Sequence, residues 1–296
     1  MKVHFAGLEQ IGFAACVVRG AGVNYGLFSV LKFLAPQFDI KAITYQGVTT
    51  EVGPWLDRNC KHVIMDSGLF SLMFGAHAGK RDRPFIDSWQ DALVDFVKSS
   101  AYRGAVVEVD CQKVLGIEAA WEKRELLRKQ LPDHELINVY HHEDGKAGLD
   151  RMIEFSEYIA ISVPEMRALR IPGKNDYIYR LACYIKSRKP SIKIHLLGCT
   201  ETALLRLCSF CDSSDSTSWQ QINRYGTGKV WDGHKLKPIG RSAFEVNSET
   251  IQEQCRQYLK EVGIDHPQGG AAYYATYTMA AAYLRLHYEH HAGPQD

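Results

Sequence analysis

Short apolar runs alternate with amphipathic segments along this chain, and that alternation constrains the fold more than any other feature. VVEVD (106–110), LINVY (136–140), YIAIS (158–162) and KIHLLG (193–198) read as buried strands rich in β-branched residues. VIMD (63–66) is similar, and VHFAG (3–7), IKAITY (40–45) and CSFCDS (208–213) are weaker runs of the same kind. Between them, helical periodicity marks segments near 87–100, 116–130, 147–156, 175–187 and 200–207. Strand, helix, strand, helix implies parallel pairing through crossover helices. About eight such strands predict an α/β fold of the (β/α)8 TIM-barrel type. No Gly-x-Gly-x-x-Gly turn follows the first strand, which disfavours a doubly wound open sheet. Residues 247–262 and 271–289 read as extra C-terminal helices packed outside the barrel. No repeat or linker interrupts the pattern, so one domain over 1–296 is expected.

Composition narrows the class further. Hydrophobic residues make up 46% of the chain, enough for a sizeable core, and the formal net charge is only +1. A chain so balanced binds nucleic acid only if its cations gather on one face. No stretch is long and apolar enough for a transmembrane helix, and MKVHFAGLEQ lacks the apolar core of a signal peptide. The eight cysteines are scattered through apolar contexts, as expected of a reduced, cytoplasmic protein.

In a barrel of this kind, catalytic groups lie at the C-terminal ends of the strands. The runs end in a consistent way: VIM in Asp66-Ser67-Gly68, VVEV in Asp110-Cys111-Gln112, and NVY in His141-His142-Glu143. IAI ends in Ser162, HLL in Gly198-Cys199-Thr200, and the last strand runs into Asp212-Ser213-Ser214-Asp215. Asp and Ser are also ordinary helix caps in βα loops, and that reading suits Asp212, Ser213 and Ser216. For Asp66, Asp110 and Asp215, three carboxylates on one rim create repulsion that a hydrogen-bond-donating ligand such as a purine base relieves. DSGLFSLMFG (66–75) fits: an acid followed at once by apolar residues suggests a polar group facing an apolar-walled pocket.

These residues resemble the tRNA-guanine transglycosylase superfamily, barrel enzymes that exchange guanine for a 7-deazaguanine. DSG-x-F is similar to the family's Asp-Ser-Gly-Gly-Phe/Tyr, VEVD carries Asp110 in the base-reading place, and NVYH puts His141 where a Gln stands. YIAISVPE resembles the strand whose backbone contacts the base, HLLG resembles Tyr-Leu-Met-Gly, and Asp212 and Asp215 keep the Asp-x-x-Asp spacing. The resemblance spans roughly 60–220. Leu69 and Ser71 depart from the first motif, Ala160 and Ser162 from the backbone strand, and the Cys-x-Cys-x-x-Cys zinc site is missing. Only Cys255 follows Trp219, and Cys208 and Cys211 read as buried structural thiols. His287, His290 and His291 are expected to be solvated. DSG-x-F-S and DSTSW look most like the branch that acts on DNA, the 7-deazaguanine DNA transglycosylases of phages and bacteria.

The resemblance implies Asp215 as nucleophile, Asp66 as general acid/base, and Asp110 as reader of the guanine edge. Ser67, Gly68, Phe70, His141, Ala160, Ile161, Leu197 and Gly198 would complete the base site, with Phe70 and Leu197 sandwiching the ring. Nucleic-acid contacts are expected from Lys80, Arg81 and Arg83, and from Lys229, Lys235, Lys237 and Arg241 on phosphates with Trp231 as a stacking side chain among them; Lys186, Arg188 and Lys189 are further candidates. DNA and a 7-deazaguanine base, 7-cyano-7-deazaguanine or a relative, are the expected partners, with no cofactor, no metal and no membrane. A homodimer or accessory proteins stay open. A tRNA substrate, or hydrolysis of an N-glycosidic bond on the same barrel, stays open as well.

Overall fold

The computed structural model describes residues 1–40, 50–74, 82–221, 225, 227–240 and 271–295. Eight strands form a closed parallel barrel: β1 (Lys2–Ala6), β2 (Tyr25–Ser29), β3 (His62–Asp66), β4 (Ala105–Val107), β5 (Leu136–Tyr140), β6 (Tyr158–Ser162), β7 (Lys193–Leu197) and β8 (Ser213–Ser216). Each pairs with the next, and β8 closes on β1 with His4 opposite Asp215.

Alternation along each strand decides what faces the barrel axis. Leu27, Ile64, Val107, Ile137, Val139 and Ala160 fill the interior as one apolar cluster. Their strand neighbours Phe28, Val63, Met65 and Val106 point outward into the larger core beneath the helices. By the same parity Asp66, two residues beyond Ile64, and Asp215, two beyond Ser213, belong to the interior face near the C-terminal ends.

Local chemistry sets the helices. Arg83–Ser99 starts at Asp82, whose side chain accepts the N–H of Phe85 at 3.0 Å, with Pro84 in the first turn. Its buried Ile86, Trp89, Leu93, Val94 and Val97 recur at helical spacing on the face that meets the barrel. The helix Ala271–Ala292 packs between Cys16–Gly20 and Thr202–Leu207, so it closes the outer ring across the β8–β1 seam. Tyr277 and Tyr288 hold it there, edge-on to Trp219 at 5.3 Å and to Phe5 at 5.7 Å. β9 (Thr227–Trp231) and β10 (Leu236–Gly240) form a separate antiparallel hairpin.

Several boundaries differ from the sequence expectation. The second strand is Tyr25–Ser29, which is not among the expected runs; most of the expected strand 40–45, and the expected helix 247–262, lie outside the described residues. β4 stops at Val107: the Glu108 N–H still bonds Ile137 on β5, but the next β5 donor, the Val139 N–H, goes to the Glu108 carboxylate at 3.0 Å, which also takes Arg124 and Asn138 at 2.9 and 2.6 Å. The last strand is 213–216, not 208–213: Cys208 ends the preceding helix and Cys211 lies in the turn. His287 and His291 are buried, not solvated, because their helix turns them onto Trp231. No helix among the described residues is long and apolar enough to cross a membrane.

Candidate active site

A cleft of about 990 Å³ opens where the C-terminal ends of the strands converge. Asp66, Asp110 and Asp215 all line it, with Ser67, Phe70, Leu197 and Gly198. Three carboxylates expected on one rim thus share one cavity.

Asp66 ends β3, and its Oδ2 accepts the N–H of Gly68 at 3.0 Å. The turn is tight. Gly68 has φ +74°, and a Cβ there would stand 2.6 Å from Leu31 Cβ. Trp89 Nε1 donates to the Ser67 carbonyl at 2.9 Å, tying the turn to the helix behind it. Burial raises the Asp66 carboxyl to about 6, and the nearby charges of Asp215 and Glu9 push the same way. Such a group both holds and releases a proton near neutral pH.

Asp215 is supported differently. Its Oδ1 accepts the Gly198 N–H at 2.6 Å and lies 3.2 Å from His195 Nε2. Gly198 has φ +58°, which lets the chain turn at the end of β7 and aim that N–H across to β8. Among the described residues both contacts fall on Oδ1, which leaves Oδ2 as the oxygen available to a substrate.

Asp110 lies past the end of β4 and accepts from His141 Nε2 at 2.5 Å, while His141 Nδ1 lies 3.0 Å from Glu165. Burial opposes charge on His141, but these two carboxylates outweigh it and raise the imidazole to about 10. His141 is therefore an imidazolium at neutral pH, and it holds Asp110 as an acceptor. Lys113 completes the cluster, 2.8 Å from Glu143 and 2.9 Å from Glu165.

Placement of the other expected residues is mixed. Phe70 is 50% exposed on the cleft. Ala160 and Ile161 are fully buried in the barrel wall, facing the interior and the helices respectively, and the cleft meets Ser162 and Pro164 instead. His141 stands behind Asp110 and does not line the cavity. Lys229 is exposed on the cleft, while Trp231, Lys235 and Lys237 continue on the β9–β10 hairpin. Trp231 packs against His287, His290 and His291 at 5.1–5.5 Å, and Lys237 pairs with Asp232 at 2.8 Å. Arg83 pairs with Glu122 on the surface; Lys80, Arg81 and Arg241 lie outside the described residues. Lys186 and Lys189 are at the opposite end of the barrel, because their helix runs back toward the starts of β7 and β8: Lys186 bonds Asp212 at 2.9 Å and Lys189 bonds Glu157 at 2.6 Å. Arg188, on that same last turn, sits at that end too.

Sequence reasoning missed Glu9 and Lys32. Both line the cleft, paired at 2.5 Å, and Glu9 Oε1 also accepts the Ser29 N–H at 3.0 Å. The signal was present: Glu9 follows the first strand just as Asp66 and Asp110 follow theirs. Among the described residues no group of three or more His, Cys, Asp or Glu side chains is arranged to hold a metal ion.

Fold and site together define a parallel eight-stranded α/β barrel with a carboxylate-lined cleft at its C-terminal rim. No protein-family model and no curated protein matches the chain. Among solved structures it is similar to "QR15, an Aldolase", at 13% identity and TM-score 0.41, over 73% of this chain and 88% of that one. It is also similar to the carboxyl transferase domain from Rhizobium etli pyruvate carboxylase with 3-hydroxypyruvate, at 12% identity and TM-score 0.42, over 95% of this chain and 48% of that one. Neither is a transglycosylase, and likenesses this distant add nothing to the reading of the site.

Proposed function

We propose that this protein exchanges guanine in DNA for a 7-deazaguanine base through a glycosyl intermediate on Asp215. The observation that carries the reading is that Asp66 and Asp215 share one cleft and are held differently. Asp66 is raised to about 6, whereas Asp215 is held through Oδ1 with Oδ2 open to the cavity. That is the division of labour a double displacement needs. Asp215 Oδ2 attacks C1′ of the nucleoside. The C1′–N9 bond breaks, its electron pair stays on N9, and Asp66 supplies the proton to the departing guanine. The incoming base then gives its N–H proton to Asp66 as its nitrogen attacks C1′, and the bond to Asp215 breaks. Two inversions give net retention. Asp110, hydrogen-bonded by His141 from behind, accepts from the N–H and NH2 edge, and Phe70 stacks on the ring. The target nucleotide must be unpaired or flipped out of a duplex to enter.

The DNA half rests on the sequence resemblance. For the base, a neutral nitrile at C7 fits better than a cationic aminomethyl group. Among the described residues the further carboxylates that line the cleft already have cations, Lys32 for Glu9 and Lys174 for Glu201, and Lys113 sits between Glu143 and Glu165 beside it. The test is nucleoside mass spectrometry of DNA and of tRNA after incubation with each base, together with trapping of a protein–nucleic-acid adduct. Wild type should form the adduct and place 7-cyano-7-deazaguanine in DNA, and Asp215→Ala should do neither. Incorporation into tRNA alone overturns the DNA assignment; released guanine with no incorporation turns the reading to a hydrolase.

A further inference from the structure

The barrel interior beneath Asp215 is polar where packing alone would favour Val, Ile or Leu. His195 on β7 is fully buried and faces the axis. Its Nε2 lies 3.2 Å from Asp215 Oδ1, and its Nδ1 lies 2.5 Å from Ser213 Oγ. Ser213 Oγ in turn bonds the hydroxyl of Tyr158 on β6. His4 also lies near the ring, at 6.1 Å between centroids, and is itself engaged by His62 at 2.9 Å.

These contacts leave one consistent assignment of protons at the Asp215 end. An imidazole lone pair does not face a carboxylate oxygen at hydrogen-bond distance, so Nε2 carries a proton and donates it to Oδ1. With the ring neutral, Nδ1 must then accept from Ser213, whose hydroxyl has one proton and therefore accepts from Tyr158. Burial raises the Tyr158 phenol, so it keeps the proton that starts the chain. If the ring is cationic, Nε2 still donates to Oδ1.

We propose that His195 is a positioning residue for Asp215, resting on the reading of Asp215 as nucleophile, and that Tyr158 and Ser213 select its Nε2–H form. Two N–H donors, from Gly198 and His195, converge on one oxygen and fix the carboxylate plane, so that Oδ2 is presented to C1′. The same donors serve the second half-reaction. When the incoming base displaces Asp215, negative charge returns to the carboxylate and Oδ1 receives it between donors already in place.

The test combines histidine 15N NMR with exchange kinetics and adduct trapping. In the wild type the His195 signal should show a protonated Nε2 at neutral pH; an unprotonated Nε2 overturns the proposal whether or not the protein is a transglycosylase. His195→Leu should lower kcat about tenfold or more, the value of one hydrogen bond to a charged group, with KM for the incoming base within about twofold. His195→Gln, whose amide can reach the Nε2 position, should recover most of that loss, which a purely structural role would not produce. Wild-type kcat in a His195→Leu protein that melts normally overturns the proposal. If His195→Leu does not fold, Ser213→Ala carries the kinetic arm: it removes the donor to Nδ1 and should lower kcat several-fold, and an unchanged kcat there overturns the role of the chain. Absence of any adduct in the wild type overturns the transglycosylase reading instead, and the NMR arm still decides the bond to Asp215.

Discussion

Asp215 on β8 and Asp66 on β3 face one cleft, and after burial the charge of Asp215 is among the causes that raise the Asp66 carboxyl to about 6 from an ordinary 3.8. The folded protein therefore holds this proton between about pH 4 and 6, where the unfolded chain has released it. Stability from this group falls as pH rises through that window, and the cost above it is about 3 kcal/mol by the size of the shift. Asp66→Asn, which keeps an acceptor for the Gly68 N–H, should melt higher than wild type at pH 8 and no higher at pH 4, while losing base exchange. Paired thermal melts at the two pH values check this. Equal melting temperatures at pH 8 would contradict the raised carboxyl.

The Asp110–His141–Glu165 cluster has the opposite sign. The folded imidazole is raised to about 10 from 6.5, by the two carboxylates against the penalty of burial. Its contribution is complete below about pH 6.5 and is lost as pH climbs through about 10. His141→Phe leaves two carboxylates without their shared cation and should cost about 3–5 kcal/mol at pH 7. Urea unfolding at pH 7 and pH 10 should show the gap between wild type and variant closing at the higher pH.

Two glycine substitutions should rank by what their new methyl groups meet. At Gly68 a Cβ would stand 2.6 Å from Leu31 Cβ and 3.1 Å from its Cα, whereas at Gly198 it meets the ring edge of Pro164 at 2.9 Å. Both positions are left-handed, costing about 1–2 kcal/mol for an L side chain. Gly68→Ala should lose more stability, because backbone yields less than a ring edge. Gly198→Ala should lose activity beyond its stability loss, since its N–H holds Asp215. Denaturation midpoints and exchange rates on the same samples separate the two effects.

Phe70→Ala tests the stacking wall. Half-exposed in the folded protein, the ring should contribute little to stability, within about 1 kcal/mol. If it stacks on the base, its loss should raise KM for the incoming base about 5- to 150-fold, from the ~1–3 kcal/mol of a base–aromatic contact. An unchanged KM would remove Phe70 from the site.

The acids at the strand ends were legible because their signal is local. A strand alternates with period two, so an Asp placed two residues beyond an inward Ile declares its face, and parallel crossovers bring every such end to one rim. Asp66 and Asp215 declare their face in this way, and Asp110, past the end of β4, was found from its place on the rim alone. Glu9 also follows a strand end and was passed over, and β2 was missed because YGLFS is short and carries Gly26, a poor strand former.

The partners of those acids were decided only in three dimensions. That His141 reaches Asp110, and that Gly198 and His195 converge on Asp215, depends on which strands lie side by side and in what register. His195 within KIHLL looks like any histidine in a buried strand until Ser213 and Asp215 stand opposite it. His287 and His291 look like a polar tail until their helix packs over Trp231. Alternation is a property of neighbours along the chain; barrel closure and helix docking join residues far apart in sequence, and it is those contacts that set the charge and the direction of the groups lining the cleft.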